Sequence, residues 1–326
     1  MVQQFSEVRG GRGGQLDIDD RWVSLGFYRL PVHDTRSGQR GPVIQHHDSE
    51  HLPELADCMK IGWVRDATLK ERLGGAQVCE DLLRRAAPDS VELIDCPPGA
   101  LQTDVDAYVA LRCQLYSSEE IGQMASRPLI HYEMDYWEFE SANRAALYAG
   151  ANYILWCSPL HAEVMERRYG IRKRGESLPC PMDVNHWLDI RSHSNGDRAG
   201  AMWYGEAHPL KGPDIVMDWA EKNQVYLDLY GINLPPSNGG NPYVRIVGQV
   251  DDAQRDLALA SHEQFVHFPR QPEPFCYSLL EAWLAGLTVT YAGRIGIDSY
   301  GLPWPELAER CHKAPQEFWR IVEREI

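Results

Sequence analysis

The chain of 326 residues lacks several features, and each absence removes a class of protein. No apolar run approaches the ~20 residues that a membrane-spanning helix needs. The first residues carry no apolar signal core. Positive charge is short: 32 Lys and Arg against 47 Asp and Glu leave a formal net charge of −15. That balance gives no footprint for nucleic acid or an anionic membrane, although it leaves room for a local basic groove. No CxxC pair occurs among the eight cysteines, Cys58, Cys79, Cys96, Cys113, Cys157, Cys180, Cys276 and Cys311. Neither a zinc knuckle nor a disulfide framework is therefore expected. Several of these cysteines lie in apolar segments, where a free thiol packs as a small hydrophobe, which suits a reducing cytoplasm. The spacing GxGxxG is missing too, since Arg72-Leu-Gly-Gly-Ala-Gln77 does not supply it. That argues against a nicotinamide-dependent oxidoreductase. What is there is a globular composition, 44% hydrophobic and 24% charged, in a chain long enough for two domains.

Residues 1–58 read differently from the rest. Gly10-Gly11-Arg12-Gly13-Gly14 and residues 36–42 are loop-like, and 22–30 suits a strand that packs on the main body. His46, His47, Asp48, Glu50 and His51 form a cluster with two readings, a metal site or a polar lead-in, and ligand spacing alone specifies little. The ordered body is predicted from Met59. Strands are expected at 60–65, 91–94, 105–111, 128–131 and 153–157, with a helix ended by Pro88 and another over 159–169. A second set starts near residue 199. Its strands are expected at 201–204, 225–230, 244–247, 265–268 and 287–291, its helices at 213–222 and 257–262. A C-terminal helix over 316–326 has Phe318, Trp319, Ile321 and Val322 to bury. Strands alternating with helices imply parallel sheets covered on both faces. The repetition after a loop at 191–198 predicts an α/β chain of two similar domains, 59–190 and 191–300, with 301–326 packing on the body. In such folds ligands sit at the carboxyl ends of the strands.

Residues 273–281 read Glu-Pro-Phe-Cys-Tyr-Ser-Leu-Leu-Glu, and Ala-Trp-Leu-Ala-Gly follows. Pro274 suits a first helical position. Phe275, Leu279, Leu280, Trp283 and Leu284 fall near helical spacing and would form a buried stripe. Glu281 comes two turns after Glu273, so both carboxylates are expected on similar sides of one helix. The free N–H groups of its first turn make an anion site. A phosphate cradle between two carboxylates suits a ligand with a diphosphate, a sugar and a ribose.

With four further pieces in order, the chain resembles the retaining, nucleotide-sugar-dependent glycosyltransferases of the GT-B fold, with two facing Rossmann-like domains and a cleft between them. The pieces are Gly74-Gly75; His131-Tyr-Glu-Met-Asp135-Tyr136; Ser158 to Tyr169 with Leu178-Pro-Cys-Pro-Met-Asp183-Val; and Tyr204-Gly205 to Lys211-Gly212. The fifth is Glu273 with Glu281, and the resemblance covers roughly residues 59–300. It implies an N-terminal acceptor domain and a C-terminal donor domain. It implies a nucleoside diphosphate sugar as donor, no obligatory metal or other cofactor, and retention of configuration.

The resemblance also implies roles. Lys211 would neutralise the leaving diphosphate. Glu273 would sit by the donor sugar, and Glu281 would accept hydrogen bonds from the ribose hydroxyls. Backbone N–H groups near Phe275, Cys276 and Tyr277 would hold the phosphates, with Gly205 alongside. Gly74 and Gly75 let the backbone approach a phosphate or acceptor, or make a plain tight turn. His131 and Asp135 could face the acceptor; His131 reads equally as a satisfied histidine, and Glu133 or Glu138 could take the part of Asp135. Tyr132, Tyr136 and Trp137 could stack on a sugar or base, or be core. Two positions depart from the family. Glu206 stands where an arginine is usual, with His208, Arg270 or Arg294 as compensating cations. Cys276 stands where a glycine is common. No DxD pair stands out, although Asp251-Asp252 exists. The acceptor is open: a glycan, a lipid-linked sugar, a hydroxymethylated DNA base of a virus, or a protein hydroxyl. The basic stretches Arg65, Lys70, Arg72 and Arg167-Arg168 to Arg174 read as DNA contacts or as solvated faces. The competing class is a catalytically impaired sugar-nucleotide-binding or scaffold protein.

Overall fold

The computed structural model describes residues 58–66, 74–135, 142–171, 175–194, 196 and 198–326. The expected strand at 22–30 and the His46 to His51 cluster lie outside the described residues, as do Lys70, Arg72, Tyr136, Trp137, Glu138 and Arg174.

Ten strands and nine α-helices occur among the described residues. The first half holds β1 (Met59–Val64), α1 (Gly75–Arg85), β2 (Val91–Cys96), β3 (Ala107–Ala110), α2 (Ser118–Met124), β4 (Leu129–Glu133), α3 (Ala142–Gly150), β5 (Tyr153–Trp156) and α4 (Pro159–Tyr169). All its strand pairs are parallel, in the order β2-β1-β3-β4-β5. After α5 (Val184–His193) come β6 (Ala201–Glu206), α6 (Pro213–Asn223), β7 (Leu227–Ile232), β8 (Val244–Gly248), α7 (Asp252–Ser261), β9 (Gln264–His267), α8 (Tyr277–Leu284) and β10 (Thr288–Tyr291). This second sheet is also parallel, in the order β10-β9-β6-β7-β8. The chain ends in α9 (Trp304–Glu325).

Burial explains why period-2 alternation is weak in these strands. Ala107–Ala110 is buried at every position, as is Leu129–Glu133, because helices cover both faces. Local chemistry sets the helix ends. Ser117 makes a capping box with Glu120, and Asp251 makes one with Gln254. Asp251-Asp252 is thus a helix start, with the Asp251 carboxylate accepting from the Gln254 N–H at 2.8 Å.

Three expectations need correction. The segment 191–198 is not all loop, since α5 runs on to His193 and buries Trp187 and Ile190. Helix α7 begins five residues before 257, at its capping box. The last helix starts at Trp304, not at 316, and runs through Pro315. Pro315 has no N–H, so it leaves the Cys311 carbonyl without its helical partner. The Met182 N–H donates to that carbonyl at 3.2 Å, and the helix continues. Phe318 and Trp319 pack their rings against Trp63 of β1, and Trp319 Nε1 donates to the Leu83 carbonyl of α1 at 2.8 Å. The two ends of the described chain thus share one core. No helix among the described residues is long and apolar enough to cross a membrane.

Candidate active site

In the second sheet the order of strands reverses between β6 and β9. Such a point leaves a crevice at the carboxyl ends of the two central strands, because the chain leaves them in opposite directions. Strand β6 ends at Glu206, and the loop after it carries a one-turn 3-10 helix, Pro209–Lys211. The loop after β9 carries Glu273. The two loops are joined by the Arg270 N–H, which donates to the Leu210 carbonyl at 2.8 Å. Gly212, at φ 66, lets the Phe268 carbonyl approach where a Cβ would overlap it.

This places Lys211 Nζ 2.9 Å from Glu273 Oε2. Glu273 is 4% exposed, and its other oxygen lies 3.5 Å from Nε2 of His267, the last residue of β9. Burial opposes the charge on Glu273, but Lys211 and His267 outweigh it and hold the carboxyl at about 2. Burial likewise opposes charge on His267, but Cys276 and Glu273 beside it raise the imidazole to about 9. The Lys211 ammonium is raised: burial works against it, and Glu273 overcomes that. Asp135 adds to the same field. The Lys211 side chain keeps 42% of its surface, so it meets both solvent and the buried carboxylate.

Helix α8 does not begin at Pro274. Glu273 forms an extended bridge with Ile295, and its N–H donates to the Arg294 carbonyl at 2.9 Å. Gly296 N–H donates back to the Glu273 carbonyl at 3.0 Å, and Ile297 N–H to that of Phe275 at 3.2 Å. These bonds hold 273–275 extended, so the helix starts at Tyr277 and Glu273 and Glu281 do not share it. Cys276 is the N-cap, at φ 79, and no side chain caps the helix. Uncapped first-turn N–H groups of this kind suit an anion.

Glu281 is 6% exposed and accepts a hydrogen bond from the Tyr204 hydroxyl. Burial raises its pKa, and Arg255 opposes that. Arg255 lies over the Trp187 ring at 4.9 Å and pairs with Asp256 at 3.1 Å. Gly205, next to Tyr204, has φ 152 and registers with Gly231 of β7. A Cβ on Gly231 would overlap the Gly205 carbonyl.

The first half contributes less directly. His131 is 2% exposed, with Nδ1 2.8 Å from the Ala110 carbonyl and Nε2 3.1 Å from Glu133. Its satisfied reading is the one the structure shows. Glu133 accepts from His131, from Tyr148 and from the N–H groups of Met134 and Asp135, which fixes the end of β4. Tyr132 is core; its hydroxyl donates to the Leu178 carbonyl at 3.0 Å. Gly74, at φ 95, precedes α1 with open space where a Cβ would be. At Gly75 a Cβ would lie 2.5 Å from the Tyr277 ring, so this glycine admits the first side chain of α8. Ser158 Oγ donates to the Pro274 carbonyl, and the Leu160 N–H to Ser299 Oγ at 3.0 Å, so the start of α4 also supports the Glu273 loop.

Each of the three cations that could compensate for Glu206 has a partner of its own. Arg270 is clamped on Asp214, Arg294 pairs with Glu163 at 2.8 Å, and His208 accepts from the Leu210 N–H. Glu206 itself is exposed and accepts from Asn233 at 3.0 Å. In the two basic stretches, Arg65 pairs with Glu80 at 2.9 Å and Arg167 with Glu163 at 3.0 Å. The sequence reading missed His267, Arg255 and the tyrosine–carboxylate contact of Tyr204. Only the place of His267 at the end of a strand, just before Glu273, signalled it.

No family model and no curated protein matches the chain. Solved structures match its fold. It is similar to the Anabaena protein HepE in complex with UDP-glucose, at 15% identity and a TM-score of 0.56, over 82% of this chain and 95% of that one. It is similar to sucrose-phosphate synthase from Thermosynechococcus elongatus, at 15% identity and a TM-score of 0.53, over 82% and 90%. AviGT4, a glycosyltransferase involved in avilamycin A biosynthesis, is similar at 14% identity and a TM-score of 0.53, over 82% and 97%. The chain has the GT-B fold, two α/β halves each built on five parallel strands.

Proposed function

We propose that the protein is a glycosyltransferase that moves a sugar from a nucleoside diphosphate sugar to an acceptor hydroxyl with retention of configuration. The observation that carries this is the Lys211–Glu273 pair at the strand-order reversal, beside the uncapped start of α8. An ammonium and a set of aligned N–H groups suit a diphosphate that gains charge as it leaves. The bond from the anomeric carbon to the diphosphate oxygen breaks, and the bond to the acceptor oxygen forms on the same face. The acceptor proton goes to the departing phosphate oxygen. Glu273, kept ionised, sits by the donor sugar. Glu281, fixed by Tyr204, receives the ribose hydroxyls. An open depression lined by Gln249 to Ala253, at the carboxyl end of β8, suits the nucleobase. Asp135 orients the acceptor, while His131 acts through Glu133 on the end of β4.

In this reading residues 59–190 form the acceptor domain and 191–300 the donor domain. HepE binds UDP-glucose, so uridine diphosphate sugars are the first donors to test. Transfer requires no metal. The acceptor is a glycan, a lipid-linked sugar or a hydroxymethylated DNA base of a virus. Glu206 favours a second reading, a sugar-nucleotide-binding protein of impaired turnover, because its carboxylate stands at the end of β6 beside this site.

A thermal-shift screen across nucleotide sugars tests binding; a donor at a hundred times its Kd stabilises by about 2.7 kcal/mol. Radiolabelled transfer or donor hydrolysis then separates the two readings. Binding without turnover by any acceptor supports the second, and no binding sinks both. Glu206→Arg is expected to raise turnover if the carboxylate is what limits it.

A further inference from the structure

Two side chains, His267 and Cys276, meet Glu273 on the side away from Lys211. His267 is 2% exposed, and neither ring nitrogen makes a hydrogen bond among the described residues. A buried, unpaired polar group costs free energy unless something satisfies it. Cys276 is 8% exposed and adopts φ 79, a left-handed conformation that suits glycine and strains a cysteine. Strain of this kind clusters where a side chain has work to do. The third is Glu273, with Oε1 at 3.5 Å from His267 Nε2. One donor atom from each of the three lies within 4.8 Å of the other two.

We propose that His267, Glu273 and Cys276 form a binding site for a borderline first-row divalent cation, Zn²⁺ foremost. Imidazole nitrogen, thiolate sulfur and carboxylate oxygen are the donors zinc prefers. Donors around a tetrahedral zinc lie roughly 3.5 Å apart, so the His267–Glu273 separation already fits, and the widest pair closes by at most about 1.3 Å. The thiolate and the carboxylate balance the charge of the ion, and Lys211 keeps its contact with the other Glu273 oxygen. Three protein donors leave a fourth position for an oxygen ligand. The site shares Glu273 and the start of α8 with the proposed donor site, but its test does not rest on the transferase reading, because metal binding is measured with no nucleotide sugar present.

The test is cobalt titration of the full chain after removal of metal with a chelator. One Co²⁺ per chain is expected, with a thiolate-to-cobalt charge-transfer band that Zn²⁺ displaces. Cys276→Gly is the decisive variant. Glycine accepts φ 79, so the variant folds, and its melting temperature confirms that. It is expected to lose the band, with an affinity loss beyond the roughly 10–100-fold seen when only a supporting group is removed. His267→Gln is expected to lower affinity while the fold is kept. Absence of the band in the parent chain, or an undiminished band in folded Cys276→Gly, overturns the proposal.

Discussion

Lys211 and Glu273 show how one contact serves both fold and chemistry. Glu273 is buried with its charge, and Lys211 is its hydrogen-bonded cation at 2.9 Å. Lys211→Ala removes the only donor in this pair that also faces solvent. Turnover is expected to fall by about 10²–10³-fold, with a smaller change in KM, as measured by steady-state transfer. Glu281→Ala acts differently. It leaves the Tyr204 hydroxyl without its acceptor in a buried place, so it is expected to cost about 1–3 kcal/mol as well as donor affinity. Urea unfolding and donor titration together separate these effects; unchanged stability with weakened binding would show that Tyr204 finds another partner. Lys211 and both glutamates were legible from the sequence. His267 was not, because a lone histidine in an apolar strand reads as core, and only the folded loop brings Glu273 and Cys276 to it.

Elements decide where these residues point. A continuous helix from Pro274 would put both glutamates on one side of it. The bridge from Glu273 to Ile295 prevents that, and the sequence could not show a partner 22 positions away. The close pairing of β6 with β7 makes a similar demand. Gly205 and Gly231 lie opposite each other, and a Cβ on Gly231 would overlap the Gly205 carbonyl. Gly231→Ala is therefore expected to destabilise by about 1–3 kcal/mol or more, read as a lower urea midpoint. Because Tyr204 and Gly205 would shift together, donor binding should weaken with it. A variant of parent stability would show that the strands separate without cost.

Across the molecule, a helix from the end of the chain completes the core that the first half begins. Trp319 of α9 donates to Leu83, and Phe318 packs on Trp63 and Tyr132. Charge pairing adds a pH-dependent layer in the second half. Burial works against an ionised Asp228, but Arg245 and His262 outweigh it and lower its pKa. The folded chain then keeps this carboxylate charged where the unfolded chain protonates it. The resulting stability is complete above the unfolded value of about 4 and is lost as pH falls through the lower folded value. Urea midpoints measured from pH 6 downward are expected to fall less steeply in Asp228→Asn than in the parent. Equal slopes would remove Asp228 from the acid response.

Fold class and strand count were legible because the strands are short, mostly apolar or β-branched segments between turn signals. Strands β3, β4 and β5 fall on such segments, whereas β2 and β8 carry charged residues at exposed positions. Helices α2, α3 and α5 were missed, being short or, in α5, weakly patterned, and α9 was cut short at a proline whose lost hydrogen bond a distant N–H restores. The sequence by itself determined the alternation of strand and helix, and the order of Lys211, Glu273 and Glu281 along it. Tertiary structure alone decided the reversal of strand order between β6 and β9, the extended start before α8, and the meeting of His267, Cys276 and Glu273. Those depend on contacts between residues far apart in the chain, which no local pattern encodes.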